Sequence, residues 1–508
     1  MSVEALDRWL VTLAVFLPAA GVVFLLFIPK QYDLPAKVTA LIASGLALLA
    51  GIGILWRFDF SRSHEVQLAV KASWIPQIDV NYHVGVDGIS LPLLLLSVFI
   101  TFLCVIYTFD HLPEPANAKA FLSLVLLLET GMSGTFVAFD LILFFIFWEL
   151  VLLPMYFIIG LWGGPRKEYA AIKFFLYTLF GSAFMLLAFL ALYFKAGTFD
   201  ILELSTGLAQ FSKGAALTVF AGLFLGFAIK VPMFPFHTWL PDAHTEAPTV
   251  GSVLLAAVLL KMGTYGFVRI ALPVLPDAAR SWAPVIGILG AIGIVYAALC
   301  CMAQSDLKRL VAFSSVGHMG FVMLGIATLT PIGINAAIFG MLAHGVITGM
   351  LFFLAGSIHE RYHTREIPEL GGGMLKKIPI IASLLAFTSF ASLGLPGLAG
   401  FWGEFPALLA SYQPAPGLPE ATFRALMVAG GVGTVLVAGY FLWMLQRVNL
   451  GEVPARWASL QAHDINPYEL LSWVPLVVLT VVMGIYPKLV FGITNGAVES
   501  LARLFASG

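Results

Sequence analysis

The chain has 508 residues, 60% hydrophobic and only 11% charged, with a net charge of −1. A soluble domain carries about 25% charged residues, so this composition excludes a soluble enzyme and a disordered chain, and the near-zero charge gives no basic footprint for nucleic acid. Cys104, Cys300 and Cys301 lie in apolar runs without a C-x-x-C pair, which excludes a disulfide framework and an iron–sulfur cluster, whose ligands number about four thiolates.

Apolar runs long enough to cross a bilayer fill the chain, separated by short polar or Pro/Gly breaks. They predict an all-α integral membrane protein of about fourteen helices, near 9–28, 36–56, 89–108, 119–139, 141–162, 169–194, 215–237, 248–272, 281–302, 307–328, 334–358, 378–411, 422–447 and 469–492. The first run exceeds a signal-peptide core, and Glu4 and Asp7 break the basic stretch such a signal needs, so it reads as a mature helix. The longest extramembrane segment is 57–88, where the Val66–Val70 alternation suggests a short strand. No G-x-G-x-x-G follows a strand, and no P-loop is present.

An even helix count puts both termini on one side. Arg166, Lys167, Lys308, Arg309, Arg361, Arg365, Lys376 and Lys377 fall on the other side, which the positive-inside rule makes cytoplasmic. Both termini are therefore expected outside the cytoplasm.

Two helices are interrupted. Helix 7 reads Lys230-Val231-Pro232-Met233-Phe234-Pro235-Phe236-His237, and helix 12 contains Gly394, Pro396, Gly397, Gly400 and Gly403 before Glu404. Proline removes a backbone donor, and a membrane tolerates this only where protein or a wet cavity satisfies the freed groups. The breaks are five helices apart. Five is odd, so a tandem five-helix unit must insert upside down. The expected division is 1–118 with helices 1–3, 119–272 with the first repeat (helices 4–8), 281–447 with the second (helices 9–13), and 448–508 with helix 14. Paired broken helices in two halves point to an ion site.

Glu149, Lys230 and Lys261 lie mid-span, Glu404 follows the second break, and His318 and His344 lie in helices 10 and 11. Each ionised group at bilayer depth costs about 2.5–3.5 kcal/mol. Four of them, unpaired, cost on the order of 10–14 kcal/mol, comparable to a domain's stability. They must pair, neutralise or meet water. A structural ion pair explains Glu149 with Lys230 and leaves the other four over, whereas alternating acid, lysine and histidine suits proton transfer. Glu129 in helix 4 is a weaker candidate, because one turn of error moves it to the interface. His237, Asp242, His244 and Glu246 resemble metal ligands but read better as a wet surface loop. Gly222 with Gly226, and Gly345 with Gly349, read as close helix packing. His359-Glu360-Arg361-Tyr362-His363 matches H-E-x-x-H, yet no third ligand lies at its depth.

Three stretches resemble a known family: Phe147-Trp148-Glu149 through Pro154-Met155-Tyr156, Lys230 through Trp239-Leu240-Pro241-Asp242-Ala243-His244 to Pro248, and Ser314-Ser315-Val316-Gly317-His318-Met319-Gly320. They resemble the antiporter-like subunits of respiratory complex I, the proton-pumping NADH:quinone oxidoreductase, and the resemblance runs from helix 1 to helix 14. L- and N-type subunits, and the related Mrp cation/proton antiporters, typically carry a lysine in helix 12. Glu404 and the Arg361–Glu366 stretch resemble the M-type branch instead, and no lateral helix of the L type is expected after helix 14.

The resemblance implies that Lys230 is the central protonatable lysine and Glu149 its charge partner. Lys261, His318 and His344 would pass protons toward Glu404, the carrier and exit group of the second half. It implies a translocase subunit without redox chemistry or a cofactor of its own. FMN, iron–sulfur clusters and quinone belong to other subunits, and the partners are the L- and N-type membrane-arm subunits, lipid and protons. The alternative is a subunit of an Mrp-type antiporter.

Overall fold

A computed structural model describes residues 3–506. Among the described residues, thirteen helical runs are long and apolar enough to cross a membrane. They are α1 (Val3–Phe27), α2 (Asp33–Arg57), α3 (Ser90–Tyr107), α4 (Ala118–Val137), α5 (Leu141–Trp162), α6 (Lys167–Ala196), α7 (Lys213–Lys230), α8 (Thr249–Val274), α9 (Pro276–Met302), α10 (Leu307–Ala327), α11 (Pro331–Tyr362), α13 (Glu420–Val448) and α14 (Pro467–Ile485). The fourteenth crossing, α12, is made in two halves, Pro379–Ser392 and Ala399–Tyr412. An amphipathic helix, α15 (Lys488–Ala502), follows α14.

Both predicted breaks are present. α7 stops at Lys230, seven residues short of the predicted end, and a second short helix, Trp239–Glu246, continues it. In α12 the chain turns at Gly394 and Gly397, whose φ angles of 78° and 92° lie in the left-handed region that glycine alone enters freely. The sequence reading of helix 14 ran too far, because the missing donor of Pro487 ends the helix and the chain restarts as α15. It also placed the start of α9 late, by overlooking Pro276, which suits a first helical turn.

Backbone hydrogen bonds reveal the repeat. At the start of α5, Leu141 N–H donates to Phe199 O and Ile201 N–H to Phe139 O. At the start of α10, Leu307 N–H donates to Arg365 O and Ile367 N–H to Ser305 O. In each case an aspartate, Asp140 or Asp306, caps the helix and bridges to an acid beyond the next helix, Asp200 or Glu366. Five crossings separate the two junctions, so the same device stands on opposite membrane faces, as inverted repeats require.

The predicted strand is the first half of a hairpin, β1 (Gln67–Ile75) with β2 (Val80–Val86), which the alternation at Val66–Val70 revealed only in part. β2 bridges from Val84 to Ala138. Lys71 and His83 both reach Asp200, at 2.7 and 2.8 Å. Burial resists ionisation of Asp200, but these two partners outweigh it and hold the carboxyl well below the usual range.

The apolar central segments of α8, α10 and α11 are wholly enclosed, whereas only a third of those of α1 and α13 is buried. Lys261, His318 and His344 therefore sit on enclosed helices, while Glu149, Lys230 and Glu404 lie on the less buried α5, α7 and α12. The glycine pairs pack as expected: a Cβ on Gly226 would lie 2.7 Å from Met185 on α6, and one on Gly345 would lie 2.7 Å from Leu96 on α3.

Candidate functional site

The second half, with Lys261 of the first half beside it, holds a connected set of ionisable groups. Glu404, five residues into the second half of α12, turns its carboxylate back toward the break at Gly394. Its Oε1 accepts from Nδ1 of His318 at 2.8 Å, and Nε2 of His318 lies 2.9 Å from the Ser392 hydroxyl. The break thus brings residues from both halves of α12 onto the two nitrogens of one α10 histidine. The His344 ring on α11 stands 5.7 Å from the His318 ring, inclined at 65°. Nζ of Lys261 lies 2.6 Å from Nδ1 of His344 and donates to Ala256 O at 2.5 Å.

A cavity of about 20 Å³ sits among these groups, lined by His318, His344, Thr348, Ser392 and Glu404. Nε2 of His344 and the Thr348 hydroxyl, both buried, have no partner in the protein. That cavity and those atoms meet the requirements of one bridging water.

The sequence of α8 explains how Lys261 is held. Two π turns, Leu255–Leu259 and Phe267–Ala271, flank it. Such widened turns occur frequently at functional sites, and Ala256, the acceptor for Lys261, lies in the first of them.

The first half is different. Lys230 is the last residue of α7, where the exposed carbonyl ends of a helix favour a cation. Its ammonium lies 5.1 Å from the centre of the Trp148 ring. Glu149, partly exposed, is not in ion-pair contact with it, and acts on it only through space. Adjacent residues on a helix point about 100° apart, so Trp148 and Glu149 cannot both face α7. Trp148 does, packing on Phe227 and donating from Nε1 to Ser182 on α6 at 3.0 Å.

The helix 7–8 turn departs from the sequence reading. His237, Asp242, His244 and Glu246 are buried rather than wet. Asp242 meets Lys173 at 2.8 Å and Arg309 at 3.9 Å, and Glu246 lies 3.7 Å from Arg166. His244 stacks on Phe352 at 4.4 Å, and neither ring nitrogen has a protein partner. It lies within electrostatic reach of Lys261 and Lys308. Sequence reasoning set it aside because the crowding of His237, Asp242, His244 and Glu246 reads as a wet surface loop. The structure instead continues α7 there as the short helix Trp239–Glu246.

Glu129 lies fully inside α4, and neither carboxylate oxygen has a protein partner. The H-E-x-x-H residues serve a different network: Glu360 binds His111, and Arg361 makes a two-pronged contact with Glu469 at 2.9 and 2.7 Å.

Paired inverted repeats, each with a broken helix and a buried lysine or acid beside it, define an ion-translocating membrane subunit. Residues 138–428 match the family described as NADH:quinone oxidoreductase/Mrp antiporter, TM, and residues 66–135 match NADH-ubiquinone oxidoreductase chain 4, amino terminus. The chain is 39% identical to NADH-quinone oxidoreductase subunit M of Rickettsia bellii, covering 98% of this chain and all of that one. It is 40% identical to the subunit M of Rhodobacter capsulatus, covering 97% and 96%. Among solved structures, a chain of respiratory complex I from Thermus thermophilus with bound NADH superposes with a TM-score of 0.86 at 30% identity, covering 98% of this chain and 100% of that one. A chain of the Mrp complex from Dietzia sp. also gives 0.86, at 20% identity over 100% and 99%, a likeness of fold alone. The chain belongs to the NADH:quinone oxidoreductase/Mrp antiporter family, and within it to the subunit M branch.

Proposed function

We propose that this chain is a proton-translocating subunit of the membrane arm of an NADH:quinone oxidoreductase. The observation that carries the reading is the near-continuous line Lys261–His344–His318–Glu404 across the enclosed core. Lys261 gives its proton to His344. A water in the adjoining cavity carries it to the Ser392 hydroxyl, which passes its own proton to Nε2 of His318, and Nδ1 of His318 delivers one to Glu404. Ser392 donates to Nε2 of neutral His318 and accepts from the imidazolium, so that histidine keeps a partner in both states. Glu404 releases the proton on the hairpin face. Lys230 loads the first half, with Glu149 tuning its charge, and His244 is placed to refill Lys261 from the opposite face.

The basic residues of that opposite face make it cytoplasmic and put both termini outside. Moving one charge against the membrane potential costs about 2.3 kcal/mol per 100 mV, so electron transfer elsewhere in the assembly must drive these steps. This subunit holds no cofactor in this reading; flavin, iron–sulfur clusters and quinone sit in other subunits, and L- and N-type subunits flank it in the arm. The alternative, an Mrp-type antiporter subunit, shares the fold, but the acid Glu404 in place of a lysine favours the redox-driven assembly. Purification of the detergent-extracted complex separates the two. Flavin and iron–sulfur protein travelling with this chain are expected, and a complex without them, exchanging cations for protons, would sink the proposal.

A further inference from the structure

Beyond Lys261, α8 carries further polar side chains. Along α8 toward the hairpin face stand Thr264, Tyr265 and Arg269, a polar file at helical spacing. Left open, this file would carry a proton from Lys261 straight to that face, bypassing His344, His318 and Glu404. The structure closes it. The Tyr265 hydroxyl donates to Phe136 O at 2.8 Å and accepts from Nε of Arg269 at 3.0 Å, so its proton is committed away from Lys261. The Arg269 guanidinium, set in the second π turn, lies 2.5 Å from Asp87 and 4.9 Å from the Phe139 ring centre. Asp87 is itself fixed, accepting from the Ile89 and Ser90 amides at 3.0 and 2.9 Å. Tyr265 is fully buried, Arg269 is 8% exposed and Asp87 3%.

An arginine cannot lose its proton in a protein, so it cannot relay one. A fixed positive charge in a narrow passage also repels an arriving proton, the device by which some channels exclude protons and cations. For stability alone, a buried ion pair is often matched or bettered by apolar residues of similar volume. A pair in this position, at the end of a polar file that begins at a titratable lysine, has a use that apolar packing explains less well. We propose that Arg269, held by Asp87 and Tyr265, is a positioning residue that insulates Lys261 from the hairpin face and so commits its proton to His344. This rests on the proton path proposed above.

The test uses the whole complex in sealed proteoliposomes without NADH, reading passive proton flux under an imposed pH gradient and potential. The double variant Asp87→Asn/Arg269→Gln removes both charges at near-constant volume and leaves no buried charge unpaired. We expect a several-fold rise in proton permeability. With NADH, quinone reduction should continue while fewer protons move per turnover. Adding Lys261→Met should return the leak to the wild-type level, which a merely structural role of the pair would not do. A normally assembled double variant with wild-type tightness overturns the proposal, and so does a leak that persists without Lys261. If the double variant does not assemble, Arg269→Lys, which keeps a positive charge beside Asp87 but can lose its proton, carries the test: a smaller leak supports the proposal and wild-type tightness overturns it. Lys261→Met alone, assayed for pumping, tests the underlying path separately, so the two failures are distinguishable.

Discussion

The two halves of the molecule repeat one architecture but hold their central charges differently. In the second half Glu404, His318 and Ser392 are joined by direct hydrogen bonds. In the first half Lys230 faces the ring of Trp148, and Glu149 stands aside. A cation over an aromatic face gains about 0.5–2 kcal/mol, less than the roughly 2.5–3.5 kcal/mol that a charge at bilayer depth costs. The first half is therefore less secured, and a modest rearrangement there changes whether Lys230 is charged. A switch belongs in a region balanced in this way, and a relay belongs in a region that is hydrogen-bonded in every protonation state.

The largest expected effects test the switch. Lys230→Ala and Glu149→Gln should each remove most NADH-driven quinone reduction and proton uptake in membrane vesicles, with the complex assembled. Glu149→Asp keeps the charge, shortens the reach by one methylene and should be milder. Glu149→Gln pumping at the wild-type rate would show that the through-space influence of Glu149 on Lys230 has no functional weight.

The relay comes next. Glu404→Gln keeps the size and the hydrogen bond from His318 but cannot take up a proton, so coupled activity should fall at least tenfold. Glu404→Lys restores a titratable group and should retain part of the activity. Full pumping by Glu404→Gln, measured against the amount of assembled complex, removes this residue from the path.

A smaller effect addresses the tryptophan. Trp148→Phe preserves an aromatic face for Lys230 but loses the bond to Ser182, and a loss of about two- to threefold is expected. Trp148→Leu removes the face as well; the cation–π contribution of about 0.5–2 kcal/mol corresponds to roughly 2- to 30-fold. Equal activities for the two variants would mean that the ring acts only as packing.

The crossings, both breaks and the placing of the six candidate residues within the spans were legible in the sequence, because hydrocarbon penalises every unpaired polar group and so makes charges conspicuous. What was not legible follows from side-chain direction. Sequence spacing cannot say whether Trp148 or Glu149 faces α7, because that depends on how α5 is rotated against its neighbours. It also hid Arg269 and Asp87, 182 positions apart in the chain, since each looks like an ordinary interfacial charge until the hairpin folds over them. His244 was misread for a related reason: clustered polar residues mark a turn but not its depth.

The smallest effect concerns a third region, where α11 of the second half meets α14 and the loop after α3, both outside the repeats. His111, in the loop after α3, stacks on Tyr107, binds Glu360 on α11 and lies 3.4 Å from Glu469 on α14. Burial disfavours the imidazolium, but the two carboxylates outweigh it and raise the His111 pKa to about 9. An unfolded histidine titrates near 6.5. A raised pKa stabilises the folded state fully below the unfolded value, and that contribution is lost as pH rises through the folded one. Thermal stability of the purified complex should therefore decline between about pH 6.5 and pH 9, and His111→Gln should flatten that part of the profile. Glu360→Gln should weaken the same dependence while leaving pumping per assembled complex near wild type, because this clasp ties α3, α11 and α14 together away from Lys261 and Glu404. A large pumping defect in Glu360→Gln at full assembly would instead tie the clasp to the proton path, and buried charge outside the two halves could then no longer be treated as structural.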